Sequence, residues 1–512
     1  MAVRAVVRRS FYQDSIALMS VAARVRAEPG VSEAAVLMGT PANHAILAAA
    51  GLVASEIQDA APGDLVIVVQ AETDAAAQAA LRAAGTMLDD RQRATSVLRR
   101  PRTLEAALGE RPDANLAVIS VPGAYAAAEA RTALRRGLHV FLFSDNVPLA
   151  DEVELKRLAA SRRLLCMGPD CGTAYLAGVG LGFANVVPRG RVGCVAASGT
   201  GLQAVVSRLA ALGEGISHGI GVGGRDLSSE VGGTMTQLAL AALARDARTE
   251  AIVVISKPPS PTVLPELETA IRATGKPVVV CCLGAAGRPG APGTWVGTLD
   301  DAASAVVALL RKVSWAPGSF SDPAAVRARI AALGVARGNL LGLYTGGTLA
   351  HEAHLLLDPL LGALGGNVGA GHRGDSGGHH VFDLGADEFT VGRPHPMLDP
   401  DARATRVREA GRDGNVGVLL LDLVLGRGAH ANPADALARA VREARETAQR
   451  AGRSLLAVAS VVGTEGDPQG VRGQVDQLRA AGVEVLPSNA QAARFAALAL
   501  RPDLAAPLLG AR

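Results

Sequence analysis

Two short runs of hydroxyl and glycine residues carry the most suggestive chemistry in the 512-residue chain: Ser198-Gly199-Thr200-Gly201 and Thr345-Gly346-Gly347-Thr348. Each follows an apolar strand-like run and precedes a segment with helical periodicity. Glycine lets a ligand approach the backbone closely. The first-turn N–H groups of a helix have no intrahelical partner, and the helix dipole adds partial positive charge there. Together these features make a site for phosphate or carboxylate. A plain helix cap has the same composition, so one such run says little. Two at matching places of a repeated fold point to both helix ends facing one anion.

Other groups lie on loops beyond apolar runs. In "GIGVGGRDL", Arg225 stands beside glycines and Asp226, either as a contact for a substrate carboxylate or as half of a surface ion pair. Lys257, in Lys257-Pro258-Pro259, is either a rim lysine or a solvated one. Asn146 and Asp170 sit in loops that follow strands, where open α/β sheets bind ligands. Ten histidines are present. His351 and His354 have helical i, i+3 spacing, but no carboxylate pattern completes a metal site. His379-His380 and the proline-flanked His395 belong to a long polar stretch of the kind that forms substrate loops or plain surface. We take Arg225 and His395 as the candidate catalytic groups and expect no metal.

The elements that must position these residues alternate strand and helix along the whole chain. A small α/β unit covers about residues 1–95, with a polar, Arg-rich linker at 91–102. A second unit, to about residue 187, alternates apolar strands with amphipathic helices, the pattern of parallel βαβ units in a doubly wound, Rossmann-like sheet. A third runs to about residue 313, a linker follows near 314–323, and a fourth spans about 336–505. The fourth repeats the element order of the third, which reads as an internal duplication rather than a solenoid.

Composition narrows the function classes. Apolar residues make up 49% and charged residues 19%, enough for several cores and too apolar for a disordered chain. A net charge of +3 with scattered basic residues makes no case for nucleic acid, and 3% aromatics leave few stacking platforms. Five cysteines without a C-x-x-C pair predict unpaired thiols in a reducing compartment. Gln13 and Asp14 interrupt any signal-peptide core, and the glycine-broken stretch 171–188 is a poor membrane helix. A cytoplasmic protein is expected. No G-x-x-x-x-G-K-[ST] loop occurs, so the chain lacks an obvious nucleotide site.

The strings "FYQDSIALM", "MGTPAN", "LFSDNV", "MGPDCGT", "FANVVPRG", "ASGTG", "GGRDL", "SKPP", "LYTGGTLAHEA" and "VGRPHPMLDP" together resemble the FdrA family, in order and over nearly the whole chain. That family is similar to succinyl-CoA ligase. The resemblance implies an α/β chain with a small N-terminal unit, a CoA-binding-type domain and two flavodoxin-like ligase-type domains. It also implies a subunit of oxamate carbamoyltransferase, which interconverts oxalurate plus phosphate with oxamate plus carbamoyl phosphate. Other subunits and a small anionic substrate would be its partners; phosphate or carbamoyl phosphate would be bound as substrate, and CoA is a further ligand implied by the ligase likeness. The alternatives are an acyl-CoA synthetase that works with a separate ATP-binding subunit, and a non-catalytic anion-binding scaffold. Two departures from the ligase pattern stand out. No His lies between His218 and His351, where the ligase carries its phosphorylated histidine, and no ATP-grasp segment is present.

Overall fold

The computed structural model describes the chain apart from residues 1, 12, 14, 96–100, 286–289, 370–377, 391–394 and 511–512. It divides into two compact units, Met1–Asp113 with Asp387–Pro394, and Ala114–Ala386 with His395–Arg512.

The first unit runs β1 (Ala2–Arg8), α1 (Ser15–Arg26), β2 (Val31–Met38), α2 (Pro41–Ala49), β3 (Leu65–Ala71), α3 (Asp74–Thr95) and α4 (Leu104–Glu110). Its sheet has the order β1-β3-β2, with β3 antiparallel to both neighbours. Alternate residues of β3 point to opposite faces. Ile67 and Val69 meet α1 and α3, while Val66 and Val68 meet Leu47, Leu52 and Ile57, so apolar residues run almost unbroken along the strand. Thr40 caps α2 by accepting from the Asn43 amide, with Pro41 in the first turn, as a capping hydroxyl before proline leads one to expect. The stretch read as a linker from residue 91 begins as the last turn of α3.

The second unit opens with β4 (Leu116–Ile119), α5 (Gly123–Arg135), β5 (His139–Leu142), α6 (Leu149–Ser161) and β6 (Cys166–Met167), a three-stranded parallel sheet. The hairpin β7 (Thr173–Leu176) and β8 (Val179–Gly182) leaves that sheet and pairs with the next one, Tyr175 opposite Gly219. The Rossmann-like portion therefore stops short of residue 187. Tyr175 is buried in the following core, and its hydroxyl accepts from the Asn185 amide at 2.8 Å.

Next come β9 (Arg189–Ala196), α7 (Gly199–Ala211), β10 (Ile216–Gly221), α8 (Thr234–Arg245), β11 (Ala251–Ser256), α9 (Leu264–Ala273), β12 (Val278–Cys282), β13 (Thr294–Trp295) and α10 (Leu299–Arg311). A connecting helix α11 (Pro323–Leu333) leads into β14 (Asn339–Tyr344), α12 (Gly347–Leu361), β15 (Gly365–Gly366), β16 (His380–Asp383), α13 (Asp401–Arg412), β17 (Val416–Val424), α14 (Pro433–Arg450), β18 (Leu456–Val462), α15 (Val471–Ala480), β19 (Val483–Leu486) and α16 (Asn489–Leu500). The two sheets read β10-β9-β11-β12-β13 and β16-β14-β17-β18-β19, each with a small addition at the first edge. Both are the 2-1-3-4-5 order of a flavodoxin-like sheet. The duplication expected from element order is thus present in strand order. The halves share one apolar core, to which α7 and α10 bring Val205 and Val306 and α12 and α16 bring Leu349 and Phe495.

Candidate functional site

In each half the first strand stands where the strand order reverses, and ligands of such sheets bind beyond the carboxyl ends at that place. Ser198 caps α7: its backbone is extended, and Oγ accepts from the Gly201 amide at 2.9 Å. Gly346 caps α12 and has no side chain to offer. The two helix ends meet directly. Ser198 Oγ lies 2.5 Å from Thr348 Oγ1, and a Cβ built on Gly346 would lie 3.1 Å from Thr200 Cγ2. The cap of each helix therefore touches the second helical residue of the other, a reciprocal contact that marks a pseudo-two-fold axis. Among the described residues the amides of Gly199, Thr200, Gly347 and Thr348 have no acceptor. Gly199, Thr200 and Gly347 are half-buried, while Thr348 is buried.

The two loops match with an offset of one residue. Structurally, Ser198 matches Gly346 and Thr200 matches Thr348. Thr345 turns inward, buried, because Asp422 on β17 claims it. The Asp422 carboxylate accepts from the Thr345 amide (2.9 Å), the Gly346 amide (2.9 Å) and the Thr345 hydroxyl (3.0 Å), and Arg403 of α13 pairs with it at 2.8 Å. Burial pushes the Asp422 carboxyl up and the Arg403 guanidinium down, and their mutual attraction opposes both shifts. The first half holds the apolar Ile255 at the corresponding place on β11. Thr345 and the Gly346 amide are therefore occupied within the chain.

Two further groups close the second half's side. Asp383 ends β16, and a Cβ on Gly347 would lie 2.5 Å from its Oδ2. A carboxylate thus faces the first turn of α12, where the helix dipole favours it. A Cβ on Gly385 would lie 2.5 Å from His395 Nε2, 2.9 Å from the Thr345 carbonyl oxygen and 3.2 Å from Asp383 Oδ1. His395 Nδ1 accepts from the Met397 amide at 3.2 Å. Burial, helped by Arg403, pushes its imidazole down to about 4. His395 is therefore neutral near pH 7, with Nε2–H as its donor. With Asp383 set against α12, the amides of Gly199 and Thr200 are the pair with no carboxylate beside them among the described residues.

The remaining predicted residues lie apart from these loops. Arg225 Nε pairs with Glu152 at 2.7 Å, and Arg225 also donates to the Val147 carbonyl at 2.9 Å. It belongs to an ion cluster in which the buried Lys156 bridges Glu152 (2.7 Å) and Asp226 (2.8 Å), tying α6 to the loop after β10. Against the burial that opposes them, these carboxylates hold Lys156 above its ordinary range. The ion-pair alternative for Arg225 is the one observed, with a buried partner. Lys257 is exposed at the end of β11; burial, followed by the charge of Lys257, pushes His351 down. Asn146 and Asp170 are exposed at the rim of the three-stranded sheet, both with left-handed backbone. His379 and His380 serve the backbone: His379 Nδ1 accepts from the Leu340 amide, and His380 Nδ1 lies 2.8 Å from the Gly378 carbonyl. His372 lies outside the described residues. Sequence reasoning passed over Asp383, Arg403 and Asp422; the acidic end of an otherwise apolar strand, "LLLDLV", was the available signal for Asp422. It also passed over Gly215-Ile216-Ser217-His218-Gly219, which has the spacing of a nucleophile elbow. Ser217 is buried on β10 and bonded to Thr249 at 2.6 Å, which leaves it no nucleophilic role.

Residues 343–499 match the CoA-ligase family, and residues 1–102 match the AllF, heavy metal-associated domain. The chain is 38% identical over 501 residues to the uncharacterized protein YahF of Escherichia coli (strain K12), covering 96% of this chain and 97% of that protein. It is 31% identical over 159 residues to the alpha subunit of an ADP-forming succinate–CoA ligase of Staphylococcus epidermidis, a stretch that spans 30% of this chain and 51% of that subunit. Among solved structures, PH0766 from Pyrococcus horikoshii OT3 aligns at 15% identity over 81% of this chain and 88% of its own, with a TM-score of 0.33. A dinucleotide-forming acetyl-coenzyme A synthetase 1 of Ca. Korarchaeum cryptofilum, in complex with phosphate and ADP, aligns at 16% identity over 77% and 83%, with a TM-score of 0.30. The N-terminal module does not fit a heavy metal, because residues 1–102 contain no cysteine and one histidine, His44. Among the described residues no helix is long and apolar enough to cross a membrane.

Proposed function

The chain belongs to the FdrA family together with YahF, and from that premise we propose that it is the anion-holding subunit of a carbamoyltransferase that converts oxalurate and phosphate to oxamate and carbamoyl phosphate. The supporting observation is the reciprocal meeting of the α7 and α12 N-termini, which gathers unpartnered amides at one place. The Gly199 and Thr200 amides hold phosphate. An oxygen of hydrogen phosphate attacks the carbamoyl carbon, the bond from that carbon to the oxamate nitrogen breaks, and the departing nitrogen takes the proton that the phosphate gives up. His395, neutral and donating through Nε2–H, serves as the fixed donor that stabilises charge developing on oxygen. Orientation of two bound substrates supplies much of the rate, and no covalent histidine is required. Arg225 has no part in this reading, since Glu152 already holds it. CoA has none either. The loop after β5 packs on the start of α5, where a Cβ on Gly123 would lie 2.3 Å from the Asp145 carbonyl oxygen and 2.7 Å from that of Asn146.

The test is phosphate-dependent cleavage of oxalurate by the chain assembled with its partner subunits. Turnover that falls at least 100-fold in Gly199→Val supports the site. Undiminished turnover in that variant moves catalysis elsewhere and favours the scaffold alternative, and absence of turnover in the complete assembly removes the substrate. The likeness to the succinate–CoA ligase alpha subunit favours a second reading, a CoA ligase that borrows its ATP-binding subunit. Thermal protection by CoA, or transfer of label from ATP to a protein histidine, would support it over the first.

A further inference from the structure

At the opposite end of the second half's sheet, guanidinium groups converge without matching carboxylates. A cleft of about 470 Å³ lies at the starts of β18 and β19, and an adjoining one of about 600 Å³ shares Arg445 and Arg479 with it. Five arginines line the pair: Arg329, Arg442, Arg445, Arg453 and Arg479. Arg329 is paired with Glu484, and Arg453 is spent on the carbonyls of Gly411 (2.7 Å) and Val416 (3.4 Å). Arg445 is held in place from behind. It donates to the Ala481 carbonyl at 2.9 Å and lies so close over Gly482 that a Cβ there would sit 1.6 Å from its Nη1. Gly482 has φ +76, so glycine is favoured there on two counts. The rest of the Arg445 fork is left to the cleft.

Arg442 and Arg479 are exposed and have neither an ion-pair partner nor an acceptor among the described residues. Arg442 and Arg445 are three apart on α14, a spacing at which like charges repel. Glu446 and Glu484 are the acids of the lining. A fold that fixes one guanidinium and leaves two beside it unneutralised is arranged for an anion from outside. Planar forks suit phosphate oxygens. One wall is apolar, formed by Leu333, Val335 and Leu455, and Val335 is 61% exposed. The volume falls within the range of small-molecule sites.

We propose that this cleft binds a multiply charged phosphate ester with an apolar or heterocyclic body, of the nucleoside diphosphate class. The proposal does not depend on the reaction assigned above. The experiment is calorimetric titration of the full chain with ADP, with inorganic pyrophosphate and with poly-glutamate, at low ionic strength. ADP is expected to bind more tightly than pyrophosphate. The Arg442→Gln/Arg479→Gln variant should weaken ADP at least tenfold while its ligand-free melting temperature is kept or raised, because repulsion is removed. Gly199→Val, at the helix N-termini, should leave ADP affinity unchanged. Absence of ADP binding, equal ADP affinity in the double arginine variant, or loss through Gly199→Val alone would overturn the proposal. Equal affinity for pyrophosphate overturns the role of the apolar wall, and binding of poly-glutamate without ADP replaces the small molecule with an acidic protein surface.

Discussion

Asp422 shows how much one buried charge settles. Its carboxylate fills the amide nest of the second glycine loop, and Arg403 keeps it paired. Removing the cation leaves an uncompensated buried charge, so Arg403→Met should cost about 3–5 kcal/mol, read as a lowered denaturation midpoint. Adding Asp422→Asn should return part of that loss; a double variant no more stable than the single one would mean the pairing is not the cause. Two other buried groups give opposite pH dependence. Burial raises Glu352 to about 7 from the usual 4.5, so the folded chain binds that proton more tightly than the unfolded chain. Its contribution is full below pH 4.5 and is lost as pH rises through 7. Burial lowers His395 to about 4 from 6.5, so its contribution is full above 6.5 and is lost as pH falls through 4. Between pH 4.5 and 6.5 the two slopes oppose each other. Melting temperature against pH should rise more steeply in Glu352→Gln, whose amide oxygen still accepts from Leu299, and less steeply in His395→Asn. Parallel curves for both variants and the parent would refute this.

Among the elements, α7 and α12 matter most. Their positions were legible from apolar runs followed by glycine and helical periodicity. The cap of α12 was not, because Gly346 is held by Asp422, which lies 76 residues away along the chain. The two hydroxyl-and-glycine runs are thus equivalent only with an offset of one residue, which their composition does not show. The contact between the two helices is measurable as a coupling. Ser198→Ala should cost about 1 kcal/mol through the lost cap. Combined with Thr348→Val it should show a coupling of about 0.5–1.5 kcal/mol in a double-mutant cycle of chemical denaturation. Simple additivity would mean that the hydroxyls do not meet in solution.

In the second unit as a whole, the duplicated halves are not independent domains. Glu352 on α12 accepts from the Leu299 amide at the start of α10, and Asn489 of α16 donates to Glu352 at 2.8 Å. Residues of both halves enter one core. Residues 323–512 expressed alone should therefore expose apolar helix faces, bind a hydrophobic dye and melt without cooperativity, while co-expression with residues 114–313 should restore a single complex on gel filtration. A cooperative, monomeric 323–512 fragment would contradict this.

Periodicity, turn residues and composition sufficed for the order of strands and helices, for the repeated α/β plan and for the two glycine loops as the place to look. Those signals are local: they report which face of an element is apolar and where the chain turns. The tertiary structure alone decided which loops meet, that Arg225 answers to Glu152 rather than to a substrate, and that Asp383 and Asp422 stand beside the α12 amides. A buried charge or an empty cap takes whatever partner the folded chain brings within about 3 Å, and sequence neighbours carry no record of that choice.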